Sequence, residues 1–346
     1  MSDKPQKIIF SFSLVVIAIG FWFWADRPKT VSKSLFAMGT VFEITATGKN
    51  PETAIDAAFL EIKRLENLTR QTGKSDIEKI NRNAGIKPVK VGSEVITILK
   101  LIQENYQKLS GAFDPTVAPL IDLWGFGTEG KPHLPSNQDI IRILPLVNFQ
   151  YLKIDYQQKT VFLSKHGMRL DLGGIAKGYA VDQAYRILRS NRINSALING
   201  GSSSIRVIGS KSGKPWETGT PWKPGTPWKL GIGHPRRSGD LLGILKLPND
   251  RALGTSADTQ NFFLNNGVRY SHLIDPRNGM PVRDKILLTV TAPTATEADM
   301  LSTAFFVLPA SKIKYFLEKH PGIKVIIYDS HQTVSNFGEK SFQIDD

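Results

Sequence analysis

DLGGIAKGYAVD, Asp171 to Asp182, is the stretch on which the fold turns. Gly173 and Gly174 precede a helical pattern that Tyr179 to Leu188 carries on. Adjacent glycines let the backbone approach a neighbour closely, and the start of the following helix offers free N–H groups. The spacing matches neither the Walker phosphate loop nor the dinucleotide fingerprint. Two readings of the stretch stand: a phosphate cradle to which Lys177 adds a point charge, or a plain Gly-Gly turn before a helix.

Around this stretch, strands and helices mix without a regular βαβ alternation, which predicts an α+β fold. Val41 to Thr47 alternates, with Phe42, Ile44 and Ala46 on one face, and reads as a half-buried strand. Pro51 to Leu68 reads as an amphipathic helix with Pro51 in its first turn and Ile55, Ala58, Phe59, Ile62 and Leu65 on one stripe. Ser93 is expected to cap a further helix, and Thr296 the helix Glu297 to Leu308. Tyr151 to Leu163 reads as a hairpin and Lys324 to Tyr328 as a buried strand. INGGSSSIRVIG, Ile198 to Gly209, reads as strand, glycine turn, strand.

Three further clusters carry chemistry. GAFDPTVAPLIDLWGFG, Gly111 to Gly127, is an aromatic-rich loop bearing carboxylates. SHLIDPRNGMPV, Ser271 to Val282, sets His272 three residues before Asp275; the histidine suits a general base, a phosphate ligand or a structural role. TATEADMLSTAFFVL, Thr294 to Leu308, sets Asp299 and Thr303 at i and i+4, so both project from one face of an otherwise apolar helix. A carboxylate with a hydroxyl suits a hard cation such as Mg²⁺. The alternative is an aspartate held by the helix dipole.

Composition narrows the class. The 346 residues carry a net charge of +13 and no cysteine, with 41% hydrophobic and 22% charged residues. That excludes wholesale disorder, a disulfide scaffold, a thiolate metal site and a cysteine nucleophile. The charge is local: Ile205 to Arg237 holds +6 of the +11 that follow residue 29. That segment contains PWETGT, PWKPGT and PWKLGI, a tandem repeat from Pro215 to Ile232, too short for a solenoid and too rich in Pro and Gly for helix or central strand. It is expected to be an extended basic loop at about 205–237, either solvated or against anionic headgroups or a partner protein. Basic and aromatic residues are not interleaved as in a nucleic-acid binder, so no nucleic acid is expected.

The amino terminus has its own signature. Ile8 to Trp24 is uncharged, and as a helix would reach about 26 Å, the short end of a membrane span. No small-x-small cleavage site follows it, which favours an uncleaved signal anchor. Flanking lysines and arginines are balanced, and the short leader favours the large domain lying outside the cytoplasm. The expected organisation is an anchor over residues 1–29, a linker over 30–37 and one large mixed domain over 38–346.

Taken together, GAFDPTV, DLGGIAKGYAVD, INGG, HLIDP and EADMLSTA resemble, in order and approximate spacing, the ApbE family of FAD:protein FMN transferases, from Met38 to about Leu308. The resemblance implies a single T-fold-like α+β domain. It implies an enzyme that takes FAD, cleaves its diphosphate with Mg²⁺, joins FMN to a threonine of a target protein and releases AMP. Targets in the family are typically membrane redox proteins facing the periplasm, which implies an inner-membrane, single-pass protein with a periplasmic catalytic domain.

Carried over by position, the Gly174 carbonyl, Asp299 and Thr303 would hold Mg²⁺, with Ser302 nearby. FAD would contact Met38, Ala112, Phe113, Asp114, Asp171, Lys177 and Leu273. His272 would take the proton of the incoming hydroxyl. Gln71 stands where family members often carry a flavin-stacking aromatic, and Ala257 replaces a glycine of the family. Many members are tethered by a lipid on an amino-terminal cysteine; in this chain Ile8–Trp24 would serve instead. An FAD pyrophosphatase needs the same contacts with water as nucleophile, and a membrane-tethered flavin-binding protein needs only the FAD contacts.

Overall fold

A computed structural model of the protein describes residues 28–127, 130–210, 227–338 and 342–344. The chain enters through strands β1 (Lys29–Ala37) and β2 (Thr40–Gly48), then helices α1 (Pro51–Thr69) and α2 (Asp76–Arg82). Strand β3 (Val89–Lys90) and helices α3 (Ser93–Tyr106), α4 (Ala118–Leu123) and α5 (Asn137–Ile143) follow. Next come the hairpin β4 (Leu152–Asp155) and β5 (Thr160–Leu163), helix α6 (Gly173–Ser190), and strands β6 (Ser195–Gly200) and β7 (Ser204–Ile208). Five strands continue: β8 (Trp228–Gly233), β9 (Leu241–Leu247), β10 (Ala252–Ala257), β11 (Phe262–Asn265) and β12 (Val268–Ser271). The last elements are β13 (Lys285–Ala292), α7 (Ala295–Val307), α8 (Ala310–Lys319), β14 (Lys324–Asp329), β15 (Val334–Phe337) and β16 (Phe342–Ile344).

Eight of these strands form one antiparallel sheet in the order β1-β2-β6-β7-β10-β13-β14-β15. One face carries helices α1, α6 and α7, which bury Ile55, Ile62, Val181, Leu301, Phe305 and Phe306 against Ile44, Ile198 and Val290. The other face meets the small sheet β16-β9-β8 through Ile205, Val207, Leu253 and Leu287 packed on Trp228, Leu230, Leu245 and Leu247. Each large apolar side chain so buried contributes roughly 1.5–3 kcal/mol. Strand β13 lies between the layers, and every one of its residues is buried. That is why KILLTVTA is a nearly continuous apolar run, whereas β2, with one solvated face, alternates. The α+β expectation is met.

Several local expectations need correction. Residues 30–37, read as a linker, form edge strand β1, paired with β2 along its whole length. Its alternate residues stay exposed or half-exposed, so no apolar pattern marks it. The turn between the two strands is Met38-Gly39, both at positive φ (51° and 74°), the two-residue connection that matches strand twist. The third PW unit is strand β8 rather than loop, because Trp228, Leu230 and Ile232 bury one face against β9 and the main sheet. Strand β7 likewise occupies the start of the expected basic loop; 211–226, with the first two repeat units, lies outside the described residues.

Helix α7 is capped by Thr294, whose hydroxyl accepts from the Glu297 N–H, while Thr296 is already helical and bonds elsewhere. Gly92, not Ser93, is the N-cap of α3. The apolar run Ile8–Trp24 lies outside the described residues, among which no helix is long and apolar enough to cross a membrane.

Candidate active site

A cleft of about 1080 Å³ opens where the glycine-rich first turn of α6, the Asp299–Val307 part of α7 and strands β7, β8 and β10 converge. It is lined by Met38, Ala112, Phe113, Asp114, Asp171, Gly174, Lys177, His272, Leu273, Asp299, Ser302 and Thr303. Gln71 is not among its walls. It lines a separate cleft of about 470 Å³ with Arg82, Asp122 and Arg169, because the chain turns away after α1 toward the Ser75 cap of α2.

Close backbone approach builds the oxygen-rich corner. A Cβ on Gly178 of α6 would overlap the Ala295 carbonyl, and one on Gly254 of β10 would overlap the Ala298 carbonyl. These two glycines let the first turns of α7 sink between α6 and the sheet. Asp299 then lies buried, its Oδ2 accepting from the Gly178 N–H at 2.7 Å. The Ser204 hydroxyl donates to the same carboxylate, 2.7 Å from Oδ1 and 2.8 Å from Oδ2. One turn on, Thr303 Oγ1 lies 3.1 Å from where a Cβ of Gly174 would be, so only glycine fits against that hydroxyl without displacing it. Ser302 donates to the Asp299 carbonyl and pairs with Ser256.

This corner fits Mg²⁺ by donor chemistry: a carboxylate, a hydroxyl and a peptide carbonyl are hard oxygens. The Gly178 N–H, the helical partner of the Gly174 carbonyl, donates to Asp299 at 2.7 Å, which weakens its hold on that carbonyl. Burial pushes the Asp299 carboxyl up to about 6, against the opposing pull of Lys177, Ser204 and Gly178. A cation beside it would offset that burial. Among the described residues no group of three or more His, Cys, Asp or Glu could hold a metal.

His272 faces the same cleft from the end of β12. Its Nδ1 lies 3.0 Å from the Gln260 carbonyl, which can only accept, so Nδ1 carries the proton and Nε2 keeps its lone pair. Burial lowers its pKa, and the Lys177 charge lowers it further. A neutral imidazole with a free Nε2 is the form a general base needs. Lys177 itself has only a long 3.4 Å bond to the Gly173 carbonyl, and no carboxylate pairs with it among the described residues. It is a cation facing the cleft.

The remaining wall residues are held by local bonds. Asp114 is buried and accepts from the N–H and hydroxyl of Thr116 and from the Phe149 N–H, fixing the turn that presents Ala112 and Phe113. Asp171 accepts from the Gly173 N–H at 2.6 Å. The Met38 N–H donates to Glu66 of α1 at 2.6 Å, holding the left-handed turn over the cleft. Leu273 is buried.

Three contributors carried no role in the sequence reading. Ser204 looked like one of three serines in a turn. Asp182, the last residue of the opening stretch, accepts from the Ala295 and Thr296 N–H groups at 2.9 Å each and pairs with Arg206 at 2.6 Å. It therefore caps the helix that bears Asp299. Gln260 acts through its backbone, and no side-chain signal could have marked it. An acidic residue closing an otherwise apolar helical stretch was the one usable cue, and it pointed to Asp182.

Comparison with known proteins places the chain in a family. The family model described as the ApbE family matches residues 38–327. A Haemophilus influenzae protein named FAD:protein FMN transferase is 29% identical over 97% of this chain and 96% of its own length. A Treponema pallidum protein of the same name is 28% identical over 87% and 84%. The crystal structure of the ApbE protein from Thermotoga maritima superposes with a TM-score of 0.79 at 31% identity, covering 89% of this chain and 97% of that one. The flavin transferase ApbE from Vibrio cholerae gives 0.75 at 26%, covering 91% and 98%. The family model spans well over half of the chain, and the chain belongs to the ApbE family.

Proposed function

We propose that the protein is an FAD:protein FMN transferase that moves FMN from FAD to a threonine hydroxyl of an acceptor protein and releases AMP. One observation carries the reading: a neutral His272 with a free Nε2, the unpaired Lys177 and the Asp299–Thr303–Gly174 oxygen corner share one cleft. In this reading Nε2 of His272 takes the proton from the threonine hydroxyl as its oxygen attacks the FMN phosphorus. The phosphorus–oxygen bond to the AMP phosphate breaks, and AMP leaves with the bond's electron pair. Lys177 draws the diphosphate into the cleft and offsets charge on its oxygens. Asp299, Thr303 and the Gly174 carbonyl would hold Mg²⁺, with Ser302 nearby; bound there, Mg²⁺ would neutralise charge building on the diphosphate. Met38, Ala112, Phe113, Asp114, Asp171 and Leu273 form the walls against which FAD would lie.

The Ile8–Trp24 run supports a single inner-membrane anchor with the catalytic domain in the periplasm. A membrane redox subunit is then within reach as acceptor. The test is to incubate the purified protein with FAD, Mg²⁺ and a threonine-bearing acceptor and to weigh the acceptor. An increment equal to one FMN phosphoester is expected, with one AMP per adduct. AMP and free FMN accumulating at a rate that acceptor does not change would assign water as the nucleophile and overturn the reading.

A further inference from the structure

Ser204 is fully buried at the start of β7, on the strand that faces α7. Its hydroxyl oxygen lies 2.7 and 2.8 Å from the two oxygens of Asp299, to which it donates its single proton, while Gly178 holds Oδ2 from the α6 side. The carboxylate is thus gripped from two elements. Asp299 lines the cleft together with Thr303 and Gly174. Strand β7 is itself tied to the same helices: Arg206, two residues on, pairs with Asp182, which caps α7.

We propose that Ser204 is a positioning residue for Asp299, holding the carboxylate in place so that a divalent cation meets an assembled oxygen set. This rests on the reading of that corner as a Mg²⁺ site. Outer partners that orient a metal-binding group typically change affinity 10- to 100-fold when removed. Ser204→Ala removes one oxygen from a buried position and adds no bulk, so the fold is expected to persist, as a thermal melt of the full chain checks. Ser204→Thr keeps the hydroxyl on a residue that strands favour.

The experiment titrates Mg²⁺ calorimetrically into the full chain without FAD, and measures FAD binding separately by flavin fluorescence without metal. Ser204→Ala is expected to weaken Mg²⁺ binding about 10- to 100-fold, with FAD affinity unchanged and Ser204→Thr within a few-fold of wild type. A Ser204→Ala affinity within twofold of wild type overturns the role. Equal losses in Ser204→Ala and Ser204→Thr also overturn it, because packing rather than the hydroxyl is then responsible. A wild-type chain that binds no Mg²⁺ overturns the cation site itself, and with it the role.

Discussion

The backbone N–H of Gly178 and the carboxylate of Asp299 are joined at 2.7 Å across two helices that are more than a hundred residues apart in sequence. An interior helical N–H normally returns to the carbonyl four residues back. Here it is directed at a buried acid, and the absence of a side chain on Gly178 is what allows α7 to come that near.

Gly178→Ala is therefore expected to push α7 off α6. Overpacking a backbone-to-backbone contact costs about 1–3 kcal/mol, and a shift of Asp299 by even part of an ångström weakens Mg²⁺ binding. Urea denaturation and a Mg²⁺ titration of the same variant check both. Unchanged values in the two would mean the helices separate without consequence.

Asp182 has the opposite chemistry: a buried charge whose partners are all present. Arg206 pairs with it at 2.6 Å, and two α7 N–H groups and the Thr296 hydroxyl donate to it. Asp182→Ala strands a buried guanidinium and uncaps the helix, with an expected cost of about 3–5 kcal/mol. Removing Asp56, the exposed partner of Lys33, should leave stability close to that of wild type, because solvent screens such a pair. Denaturant midpoints of the two variants should differ accordingly.

His272→Ala should slow FMN transfer about 10²- to 10⁴-fold, the range for loss of a general base. FAD affinity should stay near that of wild type. Single-turnover transfer and equilibrium flavin fluorescence separate the two effects, and equal transfer rates would remove His272 from the chemistry.

The pH dependence follows from two groups. Burial raises Asp299 to about 6 and lowers His272 below its usual value. The active form has Asp299 ionised and His272 neutral, so kcat/KM should fall at acid pH, with a midpoint that moves down as Mg²⁺ is raised, because the cation favours the ionised Asp299. For stability the signs oppose. Between its unfolded value and about 6, native Asp299 binds a proton that the unfolded chain has lost, so its contribution to stability declines as pH rises through that window. His272, with its folded pKa lowered, contributes stability that increases as pH rises toward its unfolded value. Mg²⁺ favours the ionised Asp299, so it should raise the melting temperature at pH 7.5 and have little effect at pH 5. Asp299→Asn should abolish that Mg²⁺ effect while leaving the metal-free protein at pH 7.5 at least as stable as wild type. Steady-state kinetics across pH check the activity profile, and differential scanning calorimetry with and without Mg²⁺ measures the stability effects.

Periodicity alone located β2, α1 and β14 and the Tyr179–Leu188 part of α6, because each buries one face or both and the apolar spacing records it; the Gly173-Gly174 pair, read as preceding that helix, is its first turn. Periodicity did not locate β1, whose identity lies in backbone pairing with β2, nor β8, whose Pro-Trp-Gly composition is that of a loop until Trp228 and Ile232 find a sheet to pack on. The motifs also placed every site residue but Gln71 in one cleft. Gln71 sits elsewhere because position relative to a motif does not fix the direction in which the chain leaves a helix.

The sequence on its own determined the family resemblance and, through it, a set of candidate groups: His272, Lys177, Asp299 and Thr303 each stand in a motif that alone also allows a structural reading. What only the tertiary structure decided was their state. The tautomer of His272 depends on the Gln260 carbonyl, and the orientation of Asp299 depends on Ser204 and Gly178, which lie on other elements. Residue type fixes which protons and lone pairs a group has. Which of them remains available depends on partners that only folding brings within hydrogen-bond distance.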